Sequence, residues 1–540
     1  MNNFEFFNPT RVLFGQEQLK QLGRLIPEKA TVMLVYGQGS VKHLGILDQV
    51  IEQLNHHKIK TIEFGGIKTN PDVSQLVEAI YVARKNHVNY LLAIGGGSVI
   101  DATKFISGHI NIDQFDILLF DVYKDYFEVA EQEIIFAPQN KEFKNTPTPF
   151  GVILTCPGTG SEMNKWAVIS DQYRNLKVDM GCESFFPQFT IIDPSFTLSL
   201  SKHQIQNGVV DAIMHVFEQY LLDYEACKDN ELSCYFAESI LRILWHYGPL
   251  TVNNPQDYKA RANFCWAATN ALNGYIGVGL QDEDWSTHQL GHMLTAFYGI
   301  EHAPSLAATF ISSLRERFIY KKIRLARFAR EVLKCRLTNT EKAAHYAIEQ
   351  IANFFTNMQI PISLKDYGLE EDKQIIERIY QSMEEQNHKG FGEFQKVKRI
   401  TITNIIKKQP LTISTPHSLV IKSKLRVSFK IVKFKEFYKE NKKDKEVNAT
   451  KNKPKKTLKP KLKPKAKSRI HIKPIAKDII FLKERAVQQV QKKSKQTIVL
   501  TEEATPSFSP VNSTEKLKAK TILSKKVSSK SKTKHTSKLK

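Results

Sequence analysis

Cysteine is scarce in this chain of 540 residues, and the cysteines that are present follow no pattern. The six of them include no Cys-x-x-Cys pair. They are too sparse for the disulfide framework that holds together a small extracellular domain. We therefore expect reduced thiols in a cytoplasmic protein.

Long apolar runs are missing as well. No run approaches the roughly 20 residues that a transmembrane helix needs. The N-terminal residues Met1–Phe6 lack the basic region and the long apolar region of a signal peptide. We expect no membrane insertion, which agrees with the cytoplasmic location.

Acidic residues are depleted in one part of the chain only. Residues 411–540 contain 37 Lys and Arg against 9 Asp and Glu, a net charge of +28. Residues 1–410 contain 41 basic and 46 acidic residues, a net charge of −5. The overall charge of +23 therefore describes the tail and not the rest of the protein.

The basic tail is predicted to be mostly disordered from 409 to 540. Lysine and proline recur at 453–465, and this composition favours extended, self-repelling chain. One interpretation is a functionless extension. The other is non-specific binding to nucleic acid, driven by counterion release from phosphates, and nucleic acid is expected as a partner only through this tail.

The first part of the chain alternates between strand and helix patterns. Apolar runs at 32–36 and 90–94 are typical of buried strands, and each is followed by a glycine loop. A further strand at 60–64 precedes the turn signals Gly65-Gly66. This order indicates a parallel sheet with crossover helices.

From about residue 200 the pattern is helical. Amphipathic stretches cover 203–223, 230–247, 258–277, 284–297 and 339–358. The sequence therefore predicts an α/β fold in three parts. These are a nucleotide-binding, Rossmann-like domain at 1–190, an all-helical metal-binding domain at 191–408, and the tail at 409–540.

Two glycine loops are candidates for holding a dinucleotide. Neither Gly37-Gln38-Gly39-Ser40 nor Gly95-Gly96-Gly97-Ser98 has the G-x-G-x-x-G spacing, and one such loop alone could be a tight turn. Both loops follow strands whose carboxyl ends meet at one edge of a parallel sheet. Free backbone N–H groups there, without Cβ atoms in the way, favour a pyrophosphate.

A second cluster of polar residues belongs to the helical part. Asp211 and His215 are four residues apart, as are His288 and His292, and His302 follows after a turn. Residues at this spacing share one face of a helix. A carboxylate with two or three imidazoles could bind Fe²⁺ or Zn²⁺, although each histidine taken alone is more often structural.

Together these segments resemble the iron-containing (group III) alcohol dehydrogenases, and within them the NADPH-dependent aldehyde reductase branch. The resemblance covers about residues 1–400. It is carried by four segments in matching order and spacing: Gly95–Lys104, Thr159–Glu162, Gly208–His215 and the H-x₃-H-x₉-H run from His288 to His302. It implies a dehydroquinate-synthase-like architecture with the active site in the cleft between the two domains.

The resemblance also implies roles for individual residues. The divalent metal ion, Fe²⁺ or Zn²⁺, would be held by Asp211, His215, His288 and His302, with His292 nearby as a catalytic group that relays a proton. The residues implied to contact the nicotinamide cofactor are Gly37, Gln38, Gly39, Ser40, Asn70, Gly95, Gly96, Gly97, Ser98, Asp101, Thr155, Thr159 and Lys177.

The cofactor is predicted to be NADP(H). Members of the family that prefer NAD have an aspartate at the end of the strand that matches 32–36 here. That aspartate holds the ribose hydroxyls and repels a 2′-phosphate. Here that stretch is Tyr36–Ser40, which has no carboxylate and has Lys42 just beyond it. A hydroxyl and a nearby cation would accept the phosphate.

The predicted activity is hydride transfer between NADP(H) and a small aldehyde or primary alcohol, mainly as aldehyde reduction. The family resemblance implies a homodimer. Lys165-Trp166 is bulkier than the small residues usual in the family at that point, which bears on substrate size. The alternatives are an NAD-linked polyol dehydrogenase or a dehydroquinate-synthase-like lyase on the same fold, and a protein that associates with nucleic acid through its tail.

Overall fold

The computed structural model describes residues 1–111, 146–172, 174–227, 229–370 and 372–410. The tail predicted to be disordered lies outside the described residues from 411 onward. Within the described ranges, no helix combines the length and the apolar character that crossing a membrane requires.

A six-stranded parallel sheet forms the N-terminal part. The strands of the chain are β1 Arg11–Phe14, β2 Thr31–Gly37, β3 Lys60–Ile67, β4 Tyr90–Gly96, β5 Phe150–Cys156, β6 Trp166–Asp171, β7 Leu176–Gly181 and β8 Phe189–Ile192. The strand order in the parallel sheet is β1-β8-β5-β4-β2-β3, and every neighbouring pair is parallel. A separate antiparallel pair, β6 and β7, lies between β5 and β8 in sequence.

Helices cover both faces of this sheet, which is why its central strands are continuously apolar. They are α1 Leu22–Leu25, α2 Ser40–His43, α3 Ile46–His56, α4 Val73–Lys85 and α5 Gly97–His109. Along β2 the side chains alternate between the two faces. Val32 and Leu34 pack in one core with Val50 of α3. Met33 and Val35 pack in the other core, with α4 and α5.

Gly65 and Gly66 do not form the turn that was predicted. They lie inside β3, which continues to Ile67. The ring of Tyr36 on the neighbouring strand lies against Gly65, where a Cβ would be 2.1 Å from Tyr36 Cε2. Here glycine leaves room for an aromatic ring instead of marking the end of a strand.

The C-terminal part is helical. Its helices are α6 Lys202–Tyr220, α7 Glu231–Asn253, α8 Tyr258–Ala271, α9 Ser286–Tyr298, α10 His302–Glu316, α11 Phe318–Glu331, α12 Thr340–Asn357, α13 Asp372–Glu385 and α14 Arg399–Lys407. A capping box formed by Ser201 and Gln204 starts α6. Residues 208–220 of that helix are all buried, so α6 is the centre of the helical core. The predicted combination of a parallel sheet and a helical part is confirmed.

Candidate active site

The predicted cofactor residues come together at the carboxyl edge of four adjacent strands, β5, β4, β2 and β3. Each residue lies at the end of one of these strands or in the loop or first helical turn that follows it. The residues placed there are Gly37, Gln38, Gly39, Ser40, Asn70, Gly95, Gly96, Gly97, Ser98, Thr155 and Thr159. This edge is where open α/β sheets bind their ligands, and the contacts of these residues with a cofactor stay a prediction.

The second glycine loop is packed too tightly for any other residue type. A Cβ at Gly96 would lie 2.9 Å from the carbonyl oxygen of Cys156, and one at Gly97 would lie 2.4 Å from Thr159 Cγ2. The loops after β4 and β5 therefore touch directly. Helix α5 begins at this contact, and no side chain caps its first N–H groups. Those groups are available to an anion.

The first glycine loop has a cation beside it, as predicted from Lys42. The Nζ atom of Lys42 lies 3.0 Å from Glu63 Oε2 and 4.9 Å from the centre of the Tyr36 ring. The hydroxyl of Tyr36 donates to the same carboxylate at 3.0 Å. The sequence did not indicate Glu63 as a neighbour of this loop, because the contact depends on the pairing of β2 with β3.

Asp101 has an internal role in the structure. Its Oδ1 accepts a hydrogen bond from Ser161 Oγ at 2.6 Å, and its Oδ2 accepts one from the Val168 N–H at 3.1 Å. The fully buried Lys104 donates to Ser161 Oγ at 2.8 Å and to Asn164 Oδ1 at 3.0 Å. Burial lowers the pKa of Lys104 to about 8, against the opposing charge of Asp101. This network fixes α5 against residues 161–168, and cofactor contact by Asp101 stays a prediction.

Three helices bring the candidate metal ligands together. Asp211 and His215 lie one turn apart on α6, and their ligand atoms and that of His288 on α9 all lie within 4.8 Å of one another. His302 begins α10, and its Nε2 lies 3.5 Å from Asp211 Oδ1. The His215 Nε2 lies 3.8 Å from the same oxygen. Asp211, His215 and His288 thus form one buried group, and the partly exposed His302 lies beside its carboxylate.

The electrostatics of this cluster suit a cation. Burial lowers the pKa of His215 and of His288 to about 4, although Asp211 opposes the shift. The imidazoles are therefore neutral at pH 7, with a lone pair available to a metal ion. Asp211 Oδ1 and His288 Nε2 are buried and have no hydrogen-bond partner among the described residues. Such unsatisfied buried atoms are rare and call for a missing partner.

His292 lies beside this cluster and not within it. Its ring centre is 5.2 Å from that of His302 and 6.4 Å from that of His288. It lines a cavity together with Lys177 of β7 and Gln289. Burial and then the Lys177 ammonium hold the pKa of His292 well below its usual value. The structure therefore places Lys177 near His292, next to the candidate metal ligands.

Glu218 is a site residue that the sequence did not indicate. It lies on α6 and is fully buried. Its Oε1 accepts a hydrogen bond from the backbone N–H of His288 at 3.0 Å and lies 3.1 Å from His288 Nδ1. This leaves Nε2 of His288 to face Asp211 and His215. The two partners are 70 residues apart, so the local pattern carries no signal for them.

A buried cluster of four charges supports the start of α9. Asp284, just before the helix, accepts from Arg317 at 2.7 Å and from Lys321 at 2.6 Å. Glu393 accepts from Lys321 at 2.7 Å and pairs with Arg317 as well. Burial raises the pKa of Asp284, but the two cations outweigh it and hold that pKa far below the usual range.

Trp166 packs away from the cavity that His292 and Lys177 line. Its ring lies on Gly181 of the paired strand β7, where a Cβ would be 2.4 Å from Trp166 Cε3. Trp166 does not line that cavity. The bulk of this residue is therefore accommodated within the hairpin.

Helix α6 rests directly on the loop that follows β5. A Cβ at Gly208 would lie 2.4 Å from the carbonyl oxygen of Pro157, and one at Gly158 would lie 2.9 Å from Gly208 Cα. Glu162 accepts from Thr269 of α8 at 2.6 Å, which adds a second tie between the two parts. The helix that carries Asp211 is thus set against the loops of the sheet edge.

Comparison with known proteins agrees with this geometry. The family model described as iron-containing alcohol dehydrogenase matches residues 9–194. Its counterpart, described as Fe-containing alcohol dehydrogenase family, C-terminal, matches residues 205–409.

Relatives with curated descriptions cover the same part of the chain. The chain is 39% identical to the NADPH-dependent aldehyde reductase YqhD of Escherichia coli (strain K12), over 73% of this chain and 96% of that protein. It is 32% identical to the probable NADH-dependent butanol dehydrogenase 1 of Bacillus subtilis (strain 168), over 75% of this chain and 99% of that protein. A crystal structure of YqhD from Escherichia coli superposes with a TM-score of 0.68 at 36% identity, covering 75% of this chain and 98% of that one. The chain belongs to the iron-containing alcohol dehydrogenase family.

Proposed function

We propose that this enzyme is an NADPH-dependent aldehyde reductase that uses one divalent metal ion. The observation that carries the proposal is the buried group of Asp211, His215 and His288, whose ligand atoms lie within 4.8 Å of one another, with His302 Nε2 3.5 Å from Asp211 Oδ1. Helix α6, which carries two of these residues, packs on the loop after β5 at the sheet edge. The arrangement supports a substrate carbonyl held between a metal ion and a nicotinamide ring.

The residues present fit a divalent ion. One carboxylate oxygen and three neutral imidazole nitrogens form a donor set that suits Fe²⁺ or Zn²⁺. Asp211 Oδ1 and His288 Nε2 are buried and have no hydrogen-bond partner among the described residues. When bound, the ion would supply Lewis-acid polarisation of the substrate carbonyl.

The chain's own residues then position the reactants and handle a proton. The N–H groups at the start of α5 and the glycine loops would hold the pyrophosphate of the cofactor, whose nicotinamide supplies the hydride. His292 lies in the wall of the cavity beside the four candidate ligands and would pass a proton to the developing alkoxide. Lys177 adds positive charge close to the same point.

The preference for NADPH rests on Lys42. Relatives of both cofactor types are similar to this chain, so the argument depends on the residues of the loop. The Lys42 ammonium is about half exposed, and its partner is the equally exposed carboxylate of Glu63. A 2′-phosphate could replace that carboxylate as the partner of Lys42, since a charge-assisted bond to phosphate is stronger than an exposed ion pair.

Substitution of Lys42 tests this preference. In Lys42→Ala we expect the KM for NADPH to rise about tenfold, from the loss of one hydrogen bond to a charged group. The KM for NADH should stay within about twofold, because NADH has no phosphate at that position. Glu63→Gln is the matched control and should leave NADPH binding equal or tighter. Equal efficiency of the unmodified enzyme with NADH and NADPH would contradict the proposal.

Metal analysis combined with a substrate panel tests the activity itself. We expect one Fe or Zn ion per chain, and NADPH oxidation with short- and medium-chain aldehydes that stops when a chelator removes the ion. In His288→Ala and His302→Ala, metal and activity should be lost together. Full turnover by a metal-free variant would exclude this mechanism.

We also propose a cytoplasmic location and a homodimer. All six cysteines are free thiols, which agrees with a reducing compartment. The dimer follows from the family resemblance alone, and light scattering of the purified chain would test it.

A further inference from the structure

We propose that Glu218 is a positioning residue that fixes the ring orientation and tautomer of His288 for metal binding. The inference rests on the proposed function, since it concerns the ion that the four ligands would hold. Glu218 is one turn beyond His215 and two turns beyond Asp211 on α6. A single face of one helix would thus supply two ligands and the residue that orients a third.

The hydrogen bonds give Glu218 this role. One oxygen, Oε1, accepts from the backbone N–H of His288 at 3.0 Å and lies 3.1 Å from its Nδ1, and we assign the ring proton to that nitrogen. A proton on Nδ1 leaves the lone pair on Nε2, and Nε2 has no partner among the described residues. Carboxylates that hold the second nitrogen of a ligating histidine raise its basicity as well as fixing its orientation.

The surroundings hold Glu218 in place. Its backbone carbonyl oxygen accepts from the N–H of Asp284 at 3.1 Å, and Asp284 is fixed by Arg317 and Lys321. The carboxylate is fully buried, so it cannot turn towards water. The start of α9, and with it His288, is therefore tied to α6 through one side chain and one backbone bond.

Metal affinity of the full-length protein tests the proposal without reference to turnover. Zn²⁺ affinity would be measured by competition with a chromophoric chelator, and the ligand geometry by the visible absorption of the Co²⁺-loaded protein. In Glu218→Ala we expect a loss of affinity of 10- to 100-fold, the usual effect of removing such a partner. Glu218→Gln keeps an acceptor oxygen and should lose less than about tenfold, with a Co²⁺ spectrum closer to that of the unmodified protein.

Glu238 provides the matched control. It is also fully buried on a helix of the same core, but its carboxylate pairs with Arg327 and Tyr220 and not with a candidate ligand. Glu238→Ala should lower stability yet leave the Zn²⁺ affinity of the folded protein within about threefold.

The outcomes separate two failures. If the unmodified protein binds no stoichiometric metal ion, the proposed function is wrong. If it binds one ion, and Glu218→Gln and Glu218→Ala bind Zn²⁺ as tightly with an unchanged Co²⁺ spectrum, only the role of Glu218 is wrong. If Glu218→Ala fails to fold, Glu218→Gln tests the role of Glu218, because the glutamine amide fills the same volume. The Co²⁺ spectrum of Glu218→Gln must then differ from that of the unmodified protein.

Discussion

Replacing Gly208 by alanine should separate the metal site from the cofactor loops while leaving both intact. The new Cβ would lie 2.4 Å from the carbonyl oxygen of Pro157, whereas real Cβ atoms essentially never come within 3.0 Å of another heavy atom. Helix α6 and the loop after β5 must therefore move apart by at least about 0.6 Å. The obstacle is backbone, so no side-chain rotation can relieve it.

The expected effect on catalysis is larger than the effect on stability. A displacement of about 1 Å between reacting groups can cost a factor of about 100 in rate, so we expect kcat for NADPH-dependent aldehyde reduction to fall about 10- to 100-fold. Overpacking costs about 1–3 kcal/mol, and the gain in helix propensity from glycine to alanine returns up to about 1 kcal/mol. The free energy of unfolding should thus fall by no more than about 2 kcal/mol.

Gly248→Ala is the control for this experiment. Its Cβ would lie 2.6 Å from Cγ1 of Val209, the residue next to Gly208, so it overpacks the same helix against a side chain that can yield. Steady-state kinetics, metal analysis and urea unfolding of both variants should show similar losses of stability and one metal ion per chain, with kcat reduced only in Gly208→Ala. An unchanged kcat in Gly208→Ala, or loss of its metal ion, would refute the reasoning.

Two further predictions concern buried charges. Glu393→Ala leaves the buried Arg317 and Lys321 without one of their two carboxylates. Urea titration should therefore show that the free energy of unfolding falls by about 3–5 kcal/mol. The control is Glu384→Ala, which breaks an exposed pair with Arg399 and should lower the free energy of unfolding by less than about 1 kcal/mol. Because burial lowers the pKa of His215 and His288 to about 4, the unfolded chain binds more protons between pH 4 and 6.5. Each of these imidazoles should therefore contribute about 2 kcal/mol less stability to metal-free protein at pH 5 than at pH 7. Burial raises the pKa of Glu218 to about 8, which acts in the opposite direction, so the test compares the pH dependence of unfolding with that of His215→Gln. An equal pH dependence in the two proteins would contradict this.

The sequence predicted three of the strands, at 32–36, 60–64 and 90–94, and several amphipathic helices, because their periodicity is local. The runs at 32–36 and 90–94 lie within strands Thr31–Gly37 and Tyr90–Gly96. The stretch at 339–358 lies almost entirely within helix Thr340–Asn357. In each case the burial of one face, or of a whole short run, produces a pattern of apolar residues within a few neighbouring positions.

Helices α10 and α11 were not predicted, for opposite reasons. Residues 303–314 of α10 are all buried, so no polar face marks the period. Helix α11 contains several basic residues, among them Lys321 and Arg324, and both of these are buried because distant partners hold them. These partners lie far away in the sequence, so the local pattern of apolar and polar residues does not indicate that Lys321 and Arg324 are buried.

The candidate site divides in the same way. Asp211 and His215 on α6, and His288 and His292 on α9, were visible as spacings of four residues, and the glycine loops were visible as features that follow strands. Glu63 beside Lys42 and Glu218 beside His288 were not visible, since each contact joins two elements of the fold. The sequence thus predicted candidate ligand-contacting residues, but it did not predict the residues that hold those candidates in place.

Helix α6 shows why the two sets belong together energetically. It buries Asp211, His215 and Glu218 in the middle of an apolar core, where unpaired polar groups cost about 1–3 kcal/mol each. Hydrogen bonds to His288 offset that cost for one oxygen of Glu218, but Asp211 Oδ1 has no hydrogen-bond partner among the described residues, and the nearest imidazole nitrogens lie 3.5 and 3.8 Å away. These buried groups are therefore destabilising for the fold as long as no cation pairs with them. If the proposed site binds a metal ion, binding would stabilise the folded chain by mass action, and stability would then depend on that ion.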